Sequence, residues 1–225
     1  MVEEFARRDR DASDRRYDAG NPDVVAARRE RLRLTRALLA SSGLMPLEGR
    51  RVLDIGCGSG GLLRELTAIA GPPLLGLGLD LSAPRIAGAA GSARPSCLHL
   101  GVADGGALPV QSESFDLVCQ STMLSSILEP AARRAVAGEM VRVTSARGAI
   151  LHYDFVWNPL NRATRGVTTG ELRALFPGWN IRAFRVTLAP PLARTISRLS
   201  PTLARIAAMV PALRSHRLAL LRRCF

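Results

Sequence analysis

Short apolar runs alternate with stretches of helical periodicity from Arg51 onwards. The apolar runs are continuous rather than alternating, which is typical of strands covered on both faces. We predict strands at about 51–55, 74–79, 97–101, 115–119 and 149–155, and helices at about 60–70, 83–91 and 130–143. This order predicts an α/β domain whose parallel sheet is connected by crossover helices.

The two ends of the chain follow other patterns. Residues 1–20 alternate in charge sign, and Asn21-Pro22-Asp23 begins a helix that ends near Gly43. We predict that residues 1–49 form a helical cap on a main domain of residues 50–225. Towards the C-terminus we predict a helix from Thr169 to about Phe176, a strand at 180–188, an amphipathic stretch at 192–213 broken at Pro201 and Pro211, and a closing strand at 216–223.

The net charge of +12 is concentrated in the last third of the chain. All 31 basic residues are Arg, and residues 155–225 hold twelve of them against the single acid Glu171. Such a region can attract nucleic acid, an anionic lipid surface or a phosphorylated substrate, or it can serve solubility alone. Aromatic residues make up only 4% of the chain and are not interleaved with these Arg residues, which disfavours a base-stacking surface and hence a nucleic-acid partner.

Other features of the sequence favour a cytoplasmic protein. The N-terminus is densely charged without the apolar segment of a signal peptide, and no run of 18 apolar residues occurs. The four cysteines have neither zinc-site nor CxxC spacing, which favours free thiols in a reducing compartment. We also expect no metal cofactor, since the sequence contains no recognisable cluster of metal ligands.

A glycine-rich turn follows the first predicted strand, in residues 52–61 (Val-Leu-Asp-Ile-Gly-Cys-Gly-Ser-Gly-Gly). Glycines allow a tight turn close to a ligand, and the helix N-terminus that follows offers free N–H groups. The pattern fits both a dinucleotide fingerprint ending at Gly61 and a D-x-G-x-G-x-G motif ending at Gly60. Asp54 favours the second, because its carboxylate would repel a pyrophosphate and attract an ammonium group or another cation.

Acidic residues end three successive predicted strands. Asp54 ends the first, Asp80 closes the second, and Asp104 follows the third. The carboxyl ends of parallel strands share one edge of the sheet, where open α/β folds bind their ligands. Asp80 can accept hydrogen bonds from both ribose hydroxyls, and Asp104 from an adenine amino group, although Asp104 alone could equally be a turn residue. Together the three acids predict a nucleoside-binding edge.

Residues 52–155 resemble the class I S-adenosylmethionine (SAM)-dependent methyltransferases, in particular the small-molecule "type 11" group. The segments with this resemblance are Asp54-Ile-Gly-Cys-Gly-Ser-Gly60, Asp80, Asp104 with Ala107-Leu108-Pro109, Ser114-Phe-Asp-Leu-Val118 and Glu139-Met-Val-Arg142. One departure precedes the fifth strand, where the family often has Arg-Pro-Gly-Gly and this chain has Ser145-Ala-Arg-Gly148. That turn is distant from SAM in the family.

The resemblance implies a Rossmann-like, doubly wound, seven-stranded sheet with an antiparallel last strand. It also implies SAM as the methyl donor, with S-adenosylhomocysteine as its product. Gly56 and Gly58 would touch the methionine end of SAM, Asp80 the ribose and Asp104 the adenine. With neighbouring positions, the predicted cofactor-binding residues are Asp54, Gly56, Cys57, Gly58, Gly60, Asp80, Leu81, Ala103, Asp104 and Gln120.

The methyl acceptor would lie over the ends of the fourth and fifth strands. His152 and Asp154 end the fifth strand with the same side-chain parity and are the candidate catalytic bases, although His152 could be a core residue and Asp154 a turn cap. The predicted acceptor-binding residues are Tyr17, Ser121, Thr122, Tyr153, Phe155 and Trp157. We interpret the helical insert at about 190–213 as a lid over the acceptor, with ordinary packing and a membrane-surface helix as alternatives.

The sequence therefore predicts an enzyme that transfers a methyl group from SAM to a small-molecule acceptor. Oxygen or carbon is favoured over nitrogen, and secondary-metabolite or glycan biosynthesis is a suitable setting. An RNA or protein methyltransferase that uses the basic C-terminal region is one alternative, and a non-catalytic SAM-binding module is another. The oligomeric state is left open.

Overall fold

A seven-stranded sheet forms the centre of the computed structural model, which describes residues 22–70, 74–89, 97–158, 161 and 163–224. The strands are β1 (Arg51–Ile55), β2 (Leu75–Asp80), β3 (Leu98–Val102), β4 (Phe115–Ser121), β5 (Thr144–Phe155), β6 (Trp179–Leu188) and β7 (Arg214–Arg223). Their order across the sheet is β3-β2-β1-β4-β5-β7-β6. Strands β1 to β5 run parallel, and β7 is antiparallel to its neighbours β5 and β6. The predicted Rossmann-like sheet with an antiparallel last strand is confirmed.

Helices surround this sheet. They are α1 (Pro22–Ser41), α2 (Gly61–Ala70), α3 (Ala83–Gly88), α4 (Pro130–Val143), α5 (Thr169–Leu175), α6 (Pro190–Leu199) and α7 (Pro201–Met209), with 3₁₀ turns at Leu124–Ser126 and Pro211–Leu213. The predicted N-terminal helix and the predicted helical insert before the last strand are therefore both present. Within the described ranges, no helix is long and apolar enough to cross a bilayer.

Most predicted boundaries agree with the structure to within two residues, and β5 is the main exception. It begins at Thr144 rather than near 149, because the residues after α4 continue directly into the sheet. Thr144 pairs with Phe115, and a register irregularity between Phe115 and Leu117 accommodates the extra residues of β5. Helix α3 is also shorter than predicted and ends at Gly88.

Each strand of the centre contributes to two cores, one on each face of the sheet. Along β1, Leu53 belongs to one buried cluster and Val52 to the other, as the two-residue period of a strand requires. Residues of α4 and α5, such as Met140 and Leu172, complete the first cluster, and residues of α1 and α2 complete the second. Burial on both faces explains why the strands are apolar throughout.

Helix α1 shares the second core rather than lying apart from the sheet. Leu38 and Leu39 are buried among the residues of that cluster. Glu30 accepts a hydrogen bond from the Thr187 backbone N–H (3.1 Å), which connects α1 to β6, an edge strand of the sheet. The boundary between a cap of residues 1–49 and a main domain stays a prediction, but the described residues 22–49 pack as one of the domain's own layers.

The completely buried Arg133 holds three segments together on the other face. Its guanidinium donates to the carbonyls of Ile127 (2.5 Å) and Arg165 (2.6 Å), and it forms an ion pair with Glu171 of α5 (2.8 Å). A buried charge is stable only when it is paired and hydrogen-bonded, and these partners meet that requirement. Arg133 therefore fixes the loop after β4 and the start of α5 against α4.

Replacing this guanidinium is expected to destabilise the protein strongly. Arg133→Met removes the donors to the Ile127 and Arg165 carbonyls and leaves Glu171 with Arg165 as its ion-pair partner, so we expect a loss of about 2–5 kcal/mol in the free energy of unfolding. Urea denaturation followed by circular dichroism measures this loss. Arg134→Met, at the neighbouring exposed position, is the matched control and should change stability by less than about 0.5 kcal/mol. Equal effects of the two substitutions would contradict the role assigned to Arg133.

Candidate active site

A cavity of about 820 Å³ lies at the carboxyl edge of the sheet. Its walls come from the turns that follow β1, β2, β3 and β4, together with one side of α4 and residues of α1 and α2. The volume is within the ~300–1,000 Å³ typical of small-molecule pockets. The position is the one at which open parallel sheets bind ligands.

The glycine turn after β1 forms the floor of this cavity. Gly56 and Gly58 have positive φ angles of 71° and 54°, a backbone conformation that favours glycine. The N–H of Gly56 donates to the Leu79 carbonyl (2.8 Å), which fixes the turn against β2. A Cβ at Gly56 would lie 2.5 Å from Met123 Cγ, so a side chain there would displace a residue of the cavity wall.

Asp54 is the most unusual group in the cavity wall. Its side chain is 1% exposed, and neither carboxylate oxygen has a hydrogen-bond partner among the described residues. Burial, reinforced by the nearby Asp80 carboxylate, raises the pKa of Asp54 to about 8. A buried carboxylate without a partner favours a cationic donor supplied from the cavity. The ammonium of an amino acid fits this requirement, whereas a pyrophosphate does not.

Asp80 and Asp104 present carboxylates farther along the same wall. Asp80 accepts hydrogen bonds from the N–H groups of Gly58 (2.7 Å) and Ser82 (2.8 Å), so the end of β2 and the glycine turn hold it in place. Each carboxylate oxygen has a second lone pair, which leaves acceptors for ligand hydroxyls. Asp104 Oδ1 accepts from the Gly106 N–H (2.8 Å). Leu81 and Ala103 supply apolar wall between the two acids.

Arg31 and Glu65 line the cavity near Asp54 and were not predicted from the sequence. Arg28 Nε and Arg31 Nη2 donate to the Glu65 carboxylate (2.7 and 2.5 Å). The buried Nε of Arg31 has no hydrogen-bond partner among the described residues. Both Arg residues lie on α1, many residues before the glycine turn, and only the packing of α1 against α2 brings Arg31 to the cavity. No local sequence pattern distinguishes it from the other arginines of α1.

Of the predicted cofactor-binding residues, eight line the cavity, and two do not. Those that line it are Asp54, Gly56, Cys57, Gly58, Asp80, Leu81, Ala103 and Asp104. Gly60 instead packs towards Leu100, and a Cβ there would meet that side chain at 3.2 Å. Gln120 is fully buried, and its Oε1 accepts from the Met123 N–H (3.1 Å). Gln120 thus holds the backbone of the segment after β4 and does not itself line the cavity.

The two candidate bases lie inside the protein rather than at the cavity. Gln120 Nε2 lies 2.6 Å from His152 Nδ1, and since an amide nitrogen can only donate, Nδ1 accepts. Burial, together with the charge of Arg217, lowers the pKa of His152 to about 3, so the ring is neutral. Asp154 accepts from the N–H groups of Ser125 (3.0 Å) and Phe155 (2.8 Å). Burial raises the pKa of Asp154 to about 6. His152 therefore lies where a core residue would, and Asp154 caps the segment at Ser125. Neither residue lines the cavity, so the geometry gives no support to a role of either as general base.

Only some of the predicted acceptor-binding residues line the cavity. Ser121 and Thr122 line the cavity, and Thr122 adopts a φ of 55°, which is rare for a β-branched residue and typical of functional sites. The Tyr153 hydroxyl is instead bonded to Thr187 Oγ1 (3.0 Å), and its ring stacks on His216.

The remaining predicted acceptor contacts do not line the cavity. Phe155 packs on the other side of His216 with ring centroids 4.0 Å apart, and Trp157 is 38% exposed. Tyr17 lies outside the described residues. Within the described chain, no lining residue comes from 190–213 either. The structure therefore does not bring α6 and α7 over the cavity, and the lid interpretation has no support from this geometry.

Comparison with known proteins agrees with this arrangement. Residues 52–148 match the methyltransferase domain family. A ubiquinone biosynthesis O-methyltransferase of Paracidovorax citrulli is 32% identical over 102 residues, which are 44% of this chain and 42% of that protein. The chain thus aligns with less than half the length of this curated relative.

Solved structures extend the likeness to most of the fold. An S-adenosylmethionine-dependent methyltransferase from Mesorhizobium loti superposes with a TM-score of 0.57 at 21% identity, over 83% of this chain and 96% of that one. The [4+2]-cyclase SpnF superposes with a TM-score of 0.64 at 19% identity, over 85% and 81% of the two chains. Residues 52–148 thus match the methyltransferase domain family, and the described chain shares the fold of these two solved structures.

Proposed function

We propose that the protein transfers a methyl group from SAM to an oxygen atom of a small-molecule acceptor. The observation that supports this most directly is Asp54, a buried carboxylate without a partner in the wall of a cavity at the sheet's carboxyl edge. SAM has an ammonium group that can supply the missing donors, and it has no phosphate that Asp54 would repel.

The charges around the cavity fit the two ends of the donor. The amino-acid end of SAM has one positive and one negative group, and Asp54 and the Nε of Arg31 are the complementary groups without partners. Asp80 would accept from the ribose hydroxyls, and Asp104 from the adenine amino group. Leu81, on the surface of the cavity wall, would cover the base. In this proposal each of the three acids at the sheet edge binds a different part of SAM.

Positioning is the main contribution that this cavity can make to the reaction. SAM supplies a methyl group on a sulfonium. The acceptor oxygen attacks the methyl carbon in line with the C–S bond, which breaks so that S-adenosylhomocysteine leaves. Holding two reactants in the correct orientation can lower a barrier by several kcal/mol, about 7–11 at most. Among the described residues, no His or Tyr lines the cavity. The proposal is therefore that Ser121 and Thr122 orient an acceptor hydroxyl that is acidic enough to ionise without a dedicated base.

Oxygen is favoured as the acceptor atom because the curated relative is named an O-methyltransferase. A small-molecule acceptor fits a bounded cavity better than an RNA surface, and the low aromatic content also disfavours base stacking. Carbon acceptors, and a role in secondary-metabolite or glycan biosynthesis, belong to the same proposal. Incubation with methyl-labelled SAM and a panel of phenols, enols and sugars tests it, with label recovered in the small-molecule fraction as the expected result.

A non-methylating role is the second candidate, and one structural neighbour favours it. SpnF, which has this fold, is named a cyclase rather than a methyltransferase. The two candidates share the donor site but differ in turnover. Conversion of an acceptor without formation of S-adenosylhomocysteine would favour the second.

Loss of one cavity carboxylate is expected to weaken SAM binding selectively. Asp80→Asn keeps the side-chain shape but removes a charged acceptor, so we expect SAM affinity to fall at least about tenfold by titration calorimetry. Asp116→Asn is the matched control, because Asp116 accepts from the Arg51 N–H (2.8 Å) at the opposite edge of the sheet. Wild-type protein that is folded but does not bind SAM, or equal weakening by both substitutions, would contradict the assigned donor site.

SAM binding at pH 7 is expected to release about one proton, because ligand-free Asp54 has a pKa of about 8 and is mainly protonated. A bound ammonium favours the ionised carboxylate, so the proton leaves on binding. Titrations in buffers of different ionisation enthalpy measure this release. Asp54→Asn should bind more weakly and release no proton, whereas Asp116→Asn should behave like the wild type. Proton release that survives in Asp54→Asn would be evidence against ammonium binding at this residue.

His152 is expected to affect acid stability rather than catalysis. Its pKa of about 3 lies below the ~6.5 of an unfolded histidine, so its contribution to stability is complete above pH 6.5 and is lost as the pH falls towards 3. His152→Gln should flatten the decrease of the melting temperature in this range and leave the pH profile of kcat/KM unchanged. His99→Gln, at an exposed histidine, is the control and should alter neither. A fall in kcat of about a hundredfold or more would restore His152 as the base.

A further inference from the structure

Helices α6 and α7 present an apolar stripe to solvent. Its members lie between the end of α6 and the residue after α7, and they are Leu199 (78% exposed), Leu203 (53%), Ile206 (55%), Met209 (76%) and Val210 (43%). Within α7, Leu203, Ile206 and Met209 are spaced three residues apart and lie on neighbouring turns of the helix. Isolated exposed apolar residues are common, but a contiguous stripe of large ones marks an interaction surface.

The opposite side of the helix pair is anchored to the fold, so the stripe has a fixed outward orientation. Ser197 Oγ donates to Asp23 of α1 (2.7 Å), and Arg214 Nε donates to the Ala208 carbonyl (2.6 Å). Ser200 caps α7 by accepting from the Leu203 N–H (3.4 Å). These bonds hold the two helices against α1 and the start of β7.

The charged residues of α6 and α7 are all arginines, and Asp23 of α1 is bonded to Ser197 on the side of α6 that faces the fold. Arg194, Arg198 and Arg205 lie on the two helices, and the sequence contains no Asp or Glu after Glu171. Apolar side chains flanked by Arg form the pattern of helices that lie in the interface of an anionic bilayer, with the apolar side inserted and the basic groups near the lipid phosphates. With ten and nine residues, α6 and α7 are suited to lying on a bilayer rather than crossing it.

We propose that the α6–α7 stripe docks on an anionic lipid surface. A second copy of the chain is less suitable as the occupant, because it would bring the same excess of Arg to the contact. RNA is also less suitable, because α6 and α7 contain no Phe, Tyr or Trp on which bases could stack.

The docking surface lies on the edge of the sheet at which the cavity is found. Helix α6 follows Leu188, at the carboxyl end of β6, and β6 is parallel to the strands that build the cavity, because both it and β5 are antiparallel to β7. Helix α1, which contributes Arg31 to the cavity, contacts α6 through Asp23. Docking would therefore place this edge of the protein beside the lipid. The proposal does not depend on methyl transfer, so its test is separate from that of the proposed function.

Flotation of the full-length protein with vesicles tests the proposal. We expect binding to vesicles of phosphatidylcholine mixed with phosphatidylglycerol, weak binding to phosphatidylcholine alone, and release at high salt. The double variant Leu203→Ser/Ile206→Ser should lower the partition coefficient by about tenfold or more, because two apolar side chains no longer insert. Leu75→Ser, at an equally exposed apolar position that begins β2 at the opposite edge of the sheet, is the control and should bind as the wild type does.

A second pair of variants separates the charge from the apolar contribution. Arg198→Gln/Arg205→Gln should lose the preference for phosphatidylglycerol, whereas Arg134→Gln/Arg147→Gln, at exposed arginines away from the helix pair, should keep it. The proposal would be overturned by a wild type that does not bind the mixed vesicles, or by Leu203→Ser/Ile206→Ser binding unchanged. A dimer detected by light scattering and dissociated by that variant would equally overturn it, since the stripe would then be a contact between copies.

Discussion

The site depends on the hydrogen bonds that join β1 and β2 where both strands end. The Gly56 N–H donates to Leu79, and the Gly58 N–H donates to the Asp80 carboxylate, so the glycine turn is fixed to the neighbouring strand by backbone and side chain together. This arrangement requires positive φ angles at both glycines. It leaves Asp54 buried behind the turn, next to Asp80 and without a donor of its own. The carboxylate without a partner is the basis of our proposal that this edge binds an ammonium group.

Buried polar side chains also hold the segment after β4, which forms part of the cavity wall. Gln120 and Asp154 accept hydrogen bonds from the backbone of residues 123–125, which follow β4, and His152 accepts from the Gln120 amide. Arg133 fixes the far end of this segment through the Ile127 carbonyl. These groups are buried, and burial is also the main cause of the low pKa of His152. His152 and Asp154 thus lie beneath the cavity wall, and their role as catalytic bases stays a prediction.

Helix α1 and the α6–α7 pair connect the two ends of the chain to this edge. Arg31 reaches the cavity because α1 packs on α2 through the shared Glu65, and Asp23 at the start of α1 meets α6. A donor site made from the motif residues and an outward surface made from the basic C-terminal third thus share one helix as their link. Helix α1 thus connects the two proposed sites at one edge of the sheet, the SAM site in the cavity and the lipid-docking surface on α6 and α7.

The order and type of the elements could be predicted from the amino-acid sequence, because continuous apolar runs and capping signals are local properties of the chain. The acids and glycines of the cavity could be predicted as well, since Asp54, Gly56, Gly58, Asp80 and Asp104 lie at strand ends whose common edge follows from parallel topology. Long-range packing, in contrast, brings Arg31 from α1 to the cavity and encloses His152 and Asp154 in the core. Strand parity gives the face on which a side chain lies but not what covers that face, because the cover depends on contacts between residues distant in sequence.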